Sequence, residues 1–252
     1  MGTHYGTKNP TLDGTTSALA APSAAAIKSV WPLATNGVYW INLPTAGPTQ
    51  IYCIMDNSFS GGGWMLMMKA TRGTTFVYSS SHWTTVTTLN PTDNTQNDAD
   101  AKFNTMNYFP ARDMLARFPD IGAGGSIPGV GAWTWLQNNF YGGTRIAPVT
   151  FWNTINRRFI QDAKTYPGWA SGTWSSQVDI RFYGYNWTDN LSSRWGFGWN
   201  ENGGGLYPNG AEGSDDVSGG IGTNYFSAGD QVNCCQDTTG INRSARVEIY
   251  VR

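Results

Sequence analysis

Charge is what this sequence has least of. Charged residues make up 13% of the 252-residue chain and the formal net charge is −1, whereas an ordinary soluble domain is about 25% charged. No run of Lys or Arg occurs, so the clustered cations that neutralise nucleic-acid phosphates are missing and no nucleic-acid partner is expected. Histidine is nearly absent: His4 and His82 are the two in the chain, one in a polar arm and one in a Ser/Thr-rich stretch. No serine carries a G-x-S-x-G elbow and no metal-hydrolase spacing is present, so catalysis through these groups is not expected. The three cysteines, Cys53 and the adjacent Cys234 and Cys235, cannot all pair and do not make a disulfide framework. Cys53 alternates with Ile51 and Met55 and reads as a small buried hydrophobe. All three are expected as thiols, the vicinal pair at most being oxidised to a strained ring. No apolar stretch approaches the length of a membrane-spanning helix, so no membrane insertion is expected. The segment MGTHYGTKNPTLDGTTSALAAPSAAAIK lacks the leucine-rich core of a secretion signal, and synthesis in a reducing compartment is expected.

Gly, Thr, Ser and Asn take the place of the missing charges, together with 12 Trp and 12 Tyr. Such a surface is kept in solution by hydroxyls and amides. The length suffices for a sizeable core. Residues 1–22 have no apolar periodicity and read as an extended arm, while 23–252 read as one domain. Ser23 is a plausible N-cap for a short helix through SAAAIKSV, stopped at Pro32. NGVYWINL and IYCIMD alternate as two strands of a meander, with Val38, Trp40 and Leu43 taken as the inward face of the first. MLMMKA is a third strand. NPTDNTQNDADAKFN is a loop, with Asp98 or Asp100 capping a helix through Phe103 and Met106. PARDMLARF reads as another helix with Met114, Leu115 and Phe118 inward. Gly122 to Gly131 is a glycine-rich loop. From Thr150, Phe151, Ile155, Phe159 and Ile160 fall on one face of an expected long helix. Strand signals resume at 178–187, 194–199 and 246–251, and residues 200–245 read as nearly strand-free. Trp40, Trp64, Trp152 and Trp187 are expected in the core.

The run GVYWI…IYCIMD…GGGW, closing on Gly61-Gly62-Gly63-Trp64, resembles the opening of fibrinogen-like domains and of their relatives, the intelectins and the fibrillar-collagen C-propeptides. The resemblance implies a single α+β, β-rich domain and a non-enzymatic recognition module. It departs from the animal relatives in lacking an upstream partner for Cys53 and the second cysteine pair near their calcium site. The end of the chain, SGGIGTNYFSAGDQVNCCQDTTGINRSARVEIYVR, is similar to the ends of fibre-type proteins of marine tailed phages.

The long segment after Trp199 concentrates oxygen donors among glycines. Calcium takes about six to eight oxygens, and glycines let a chain curl around it. Asn200, Glu201, Asp215, Asp216 and Asp230 are the candidate ligands, with Asp237 a further donor. In intelectins an Asn-Asn-Glu segment after a hydrophobic strand contributes to calcium binding. Asn200 and Glu201, following Phe197-Gly198-Trp199, are the positions that resemblance carries over. The intelectin calcium also uses a histidine loop, and neither His4 nor His82 lies here. Three readings therefore stand: the acids hold a structural Ca2+, they hold a Ca2+ through which glycan binds, or they solvate a loop and cap its turns. Tyr207, Tyr225 and Trp199 are the candidate glycan contacts, since aromatic faces stack on sugars. Trp195 and Phe226 border the same segment.

A recognition domain without disulfides or export signal fits a virion protein, assembled in the host cytoplasm and exposed on the particle. The expected function is a fibre tip or capsid decoration presenting the module to host-surface carbohydrate. It would dock on other virion proteins through the arm and assemble as a homo-oligomer, a trimer by the habit of phage fibres. A free calcium-dependent lectin and a cell-wall glycosidase are the alternatives.

Overall fold

A computed structural model describes residues 12–120, 134–155, 158–161, 180–188, 192–199, 217–232 and 243–252. The meander opens as expected. β1 (Gly37–Leu43) and β2 (Gly47–Ile54) are antiparallel, and β3 (Trp64–Ala70) follows the triple glycine. Gly62 there has φ +70°, and a Cβ on it would lie 2.1 Å from the Asp56 carbonyl oxygen. Only glycine can occupy that turn. The phase of β1 differs from the expectation at Val38, which is 46% exposed, and at Trp40, which is half-buried, whereas Leu43 is buried as expected, together with Tyr39 and Ile41. Residues 38–41 are all apolar, so the alternation fits either phase, and only the packing of Tyr39 and Ile41 decides it.

α1 (Ala24–Val30) forms as expected, its first turn capped by Ser23 Oγ, which accepts from the Ala26 N–H at 3.1 Å. The segment before it differs. Within the part read as an arm, residues 12–22 lie along β1: Trp40 N–H donates to Gly14 O, Ala21 N–H to Trp40 O, and Asn42 N–H to Ala21 O. Asp13 is buried. This stretch is part of the domain, and the expected docking arm is left with residues 1–11, outside the described residues.

β4 (Ala101–Lys102) pairs with β3, and β5 (Met114–Arg117) lies between β6 (Thr134–Gln137) and β13 (Val247–Val251). The first sheet thus runs β1-β2-β3-β13-β5-β6. The helix expected over PARDMLARF is a strand. Met114, Leu115 and Ala116 are all fully buried, the mark of a central strand covered on both faces, whose unbroken apolar run a short helix shares. Neither Asp98 nor Asp100 caps a helix. α2 (Asn104–Tyr108) starts after Phe103 with no side-chain cap, while Asp100 accepts from Thr71 N–H and from the Thr71 and Thr75 hydroxyls.

α3 (Pro148–Thr154) is shorter than the helix expected from Thr150 and ends at Ile155, whose backbone is extended. Asn153, Thr154 and Ile155 are weak helix formers. Phe159 and Ile160 belong instead to β7 (Arg158–Gln161), which pairs with β8 (Ile180–Thr188). The second sheet continues through β9 (Ser192–Trp199), β10 (Val217–Thr223), β11 (Ala228–Val232) and β12 (Arg243–Ser244). The described residues within 200–245, a range read as nearly strand-free, therefore form three strands. Glycine hides them. Gly220 sits opposite Gly196, with φ +127°, and a Cβ on it would lie 2.3 Å from the Trp195 carbonyl oxygen and 3.0 Å from a ring carbon of Trp135. A position that admits no side chain leaves no hydrophobic period to read.

That contact is where the sheets meet. Trp135 of the first packs on Trp195 of the second with ring centroids 5.8 Å apart, and a continuous aromatic path runs on through Tyr185, Trp152, Trp83 and Phe76. Trp64 and Trp152 are buried as expected, whereas Trp40 is not fully so and the Trp187 side chain lies outside what the structure describes; Trp195, which borders the long segment, is buried as well. The architecture is β-rich and its named strand pairs are antiparallel, with a few short helices. Among the described residues no helix is long and apolar enough to cross a membrane.

Candidate functional site

Asn200, Glu201, Tyr207, Asp215 and Asp216 lie outside the described residues. Trp199 closes β9 opposite Val217, and Asp230 lies in β11 opposite Gly219 and Arg243. Tyr225 is 55% exposed in the turn joining β10 to β11. Thr223 pairs with Ser193, whereas Trp199 pairs with Val217. The seven residues of β10 thus separate Tyr225 from the Trp199 level by about 20 Å at roughly 3.3 Å per residue. The Tyr225 and Trp199 backbone positions lie at opposite ends of β10. Among the described residues no group of three His, Cys, Asp or Glu is placed to hold a metal ion.

A concave site within the described residues lies elsewhere, at one end of the first sheet. Antiparallel pairing puts Val251 opposite both Met65 and Met114, so the residues just beyond those positions, Arg252, Trp64 and Asp113, gather at that end. Arg252 and Asp113 extend the ladder by mutual backbone bonds: Asp113 N–H to Arg252 O at 3.1 Å and Arg252 N–H to Asp113 O at 3.2 Å. The side chains repeat the pairing, with Arg252 Nε donating to Asp113 Oδ2 at 2.9 Å. The Arg252 guanidinium lies over the Trp64 ring, 4.2 Å from its centroid, and donates to the carbonyls of Ser60 and Gly62. The triple-glycine turn is thereby locked to the last strand.

Around this pair opens a cleft of about 290 Å³ lined by Ser23, Gly62, Phe109, Arg112, Asp113, Arg145 and Arg252. Its cations differ in role. Arg252 is committed to Asp113, Trp64 and two carbonyls. Arg112 donates through Nε to Asn139 Oδ1, and Arg145 makes one long bond of 3.4 Å to Pro110 O. Arg112 and Arg145 are exposed, and among the described residues neither has a carboxylate partner. Asp113, the acid in the cleft, is already engaged by Arg252 and by the Asn139 N–H. The cleft therefore offers two free guanidinium forks beside a fixed acid. Sequence reading misses it because the three arginines come from a loop before β5, the connection before α3 and the end of β13, with no local motif among them.

The remaining ionisable groups of the interior serve the fold. Lys69, fully buried, donates to Thr95 O and Asn97 Oδ1 and meets Asp93 at 2.8 Å. That contact holds the Asp93 carboxyl down at about 2. Glu248, its neighbour across β3 and β13, accepts from the Tyr250 hydroxyl at 2.8 Å and from Arg246. Lys102, also fully buried, donates to Thr85 O, and burial pushes its ammonium down to about 8. His82 packs on Phe76 with centroids 5.3 Å apart, and burial, then the Lys102 charge, lowers its pKa. Cys53 is free and buried, and burial pushes its thiol up.

No protein-family model matches this sequence, and no curated protein matches it.

Proposed function

We propose that this chain is a non-enzymatic recognition module, displayed on a virion as a fibre tip or capsid decoration and directed at host-surface carbohydrate. The observation that carries the reading is the arginine cleft. It is open, has Asp113 and Arg252 fixed at the end of the β5–β13 ladder, and presents Arg112 and Arg145 without an acidic partner among the described residues, while Asp113 is bonded to Arg252 and to the Asn139 N–H. Such an arrangement binds and orients. The interior acids and lysines add support, because Lys69, Asp93 and Glu248 are used up in bonds that hold the loop from Asn90 to Asp100 against the sheet. The likeness of the opening strands to fibrinogen-like domains and the free Cys53 agree with a recognition domain made in a reducing compartment.

Quantitative mass spectrometry of gradient-purified particles tests the virion assignment. The chain is expected in stoichiometric, symmetric copy number. Its absence from intact particles, with the polypeptide found only in the soluble lysate, would remove that assignment.

A further inference from the structure

The recognition reading leaves open what the arginine cleft takes, and the lining residues narrow it. A guanidinium fork matches a carboxylate or a phosphate through two parallel hydrogen bonds. Arg112 and Arg145 are the forks without an acidic partner among the described residues, and Arg252 adds a third positive charge already balanced by Asp113. The cleft thus carries an excess of two cations over a fixed anion. A multiply charged phosphate would face the Asp113 carboxylate at close quarters, whereas a single carboxylate on a larger neutral body can meet the forks and keep its other atoms beside the acid. Those other atoms need hydroxyls. Asp113 retains acceptor capacity beyond its two bonds, and the Ser23 hydroxyl, which accepts from Ala26 N–H, still has its own proton to donate. The volume of about 290 Å³ admits one ring-sized unit, not an extended peptide.

We infer that the cleft formed by Arg112, Arg145, Asp113 and Ser23 binds one carboxylate-bearing sugar unit, a uronate of an acidic polysaccharide, with the carboxylate on Arg112 and Arg145 and ring hydroxyls on Asp113 and Ser23. The inference rests on the recognition reading and names its ligand class. Both arginines are exposed, so their substitution leaves the Asp113 to Arg252 lock in place.

The test is titration of the full chain with sodium glucuronate, with glucose and inorganic phosphate as parallel probes, followed by calorimetry and by amide NMR shifts. Glucuronate is expected to bind, glucose and phosphate at least about tenfold more weakly, and Arg112→Ala and Arg145→Ala are each expected to weaken glucuronate about tenfold or more, the loss of a charge-assisted pair. Arg145→Lys should recover part of it. Near-UV circular dichroism establishes that each variant is folded. Failure of glucuronate to bind, phosphate binding as tightly as glucuronate, or affinity unchanged in both alanine variants would each overturn the inference while leaving the virion assignment standing. Cleavage of a bound uronate oligomer would do the opposite, overturning the non-enzymatic reading and leaving the ligand class intact.

Discussion

Arg252 and Asp113 hold each other twice, through paired backbone hydrogen bonds that extend the β5–β13 ladder and through an Nε to Oδ2 contact of 2.9 Å. Because Arg252 also covers Trp64 and grips the carbonyls of Ser60 and Gly62, one side chain fastens the triple-glycine turn, the last strand and the floor of the cleft. Arg252→Ala is expected to destabilise the fold by about 2 kcal/mol, the scale for a partly buried charge-assisted pair with its aromatic contact. Asp113→Ala should cost a similar amount, and the double variant less than the sum. Denaturant unfolding of the four proteins checks this, and strict additivity would show that the two side chains act independently.

Acid should weaken the loop that covers the first sheet. The Asp93 pKa lies at about 2, below its ordinary 3.8, chiefly because Lys69 hydrogen-bonds the carboxylate. A carboxylate held low contributes stability that is complete above about pH 4 and is lost as the pH falls toward about 2. Asp93→Asn should therefore lower stability by a constant amount above about pH 4 and flatten the acid limb below it, so that the two proteins converge as the pH falls toward about 2. Parallel acid limbs in urea titrations from about pH 5 to about pH 2 would contradict the pairing.

Alkali should act on Lys102 in the opposite sense. Burial brings its ammonium from 10.5 to about 8, so between those values the unfolded chain holds the extra proton. Rising pH then favours the folded state. Against Lys102→Met, the wild-type protein should gain relative stability from about pH 8 to about pH 10.5. Thermal melts of the two proteins across that range provide the comparison, and a constant difference would mean that Lys102 is solvated.

What the sequence made legible is the part with clean local signals. Ser23 announces the start of α1, the alternation of Ile51 and Cys53 announces β2, and Gly61-Gly62-Gly63 announces the turn before β3. Where two patterns share one string, local reading went the wrong way. Met114 to Ala116, buried on both faces, has the apolar density of a helix. Phe159 and Ile160 continue a helical period that Asn153, Thr154 and Ile155 do not sustain. β10 carries Gly219, Gly220 and Gly222 where side chains would mark a strand: Gly196 and the Trp135 ring occupy the space at Gly220, and the Arg194 and Trp83 side chains occupy it at Gly222. The cleft was illegible for a different reason: Arg112 and Arg252 converge only through the pairing of β5 and β13, Arg145 joins them through the Ala111–Ile146 bridge, and no window of sequence contains those pairings.

Calcium is a separate question, carried by the residues Asn200, Glu201, Asp215, Asp216 and Asp230. If they hold Ca2+ in the folded state alone, stability rises by about 2.7 kcal/mol at a hundred times the dissociation constant. Melting temperatures in calcium and in chelator should then differ, and Asp215→Asn with Asp216→Asn should abolish the difference. Equal melting temperatures in the two conditions would reduce these acids to a solvated segment.

The claim at the centre of this account is recognition without chemistry. It is tested most directly by incubating the purified chain with an acidic host-surface polysaccharide and following, in one sample, both retention on the polymer and the appearance of new reducing ends. The account predicts saturable retention, lost in the Arg112→Ala and Arg145→Ala double variant, with the polymer length unchanged. New chain ends that accumulate in proportion to the protein added, and persist after repurification, would contradict it.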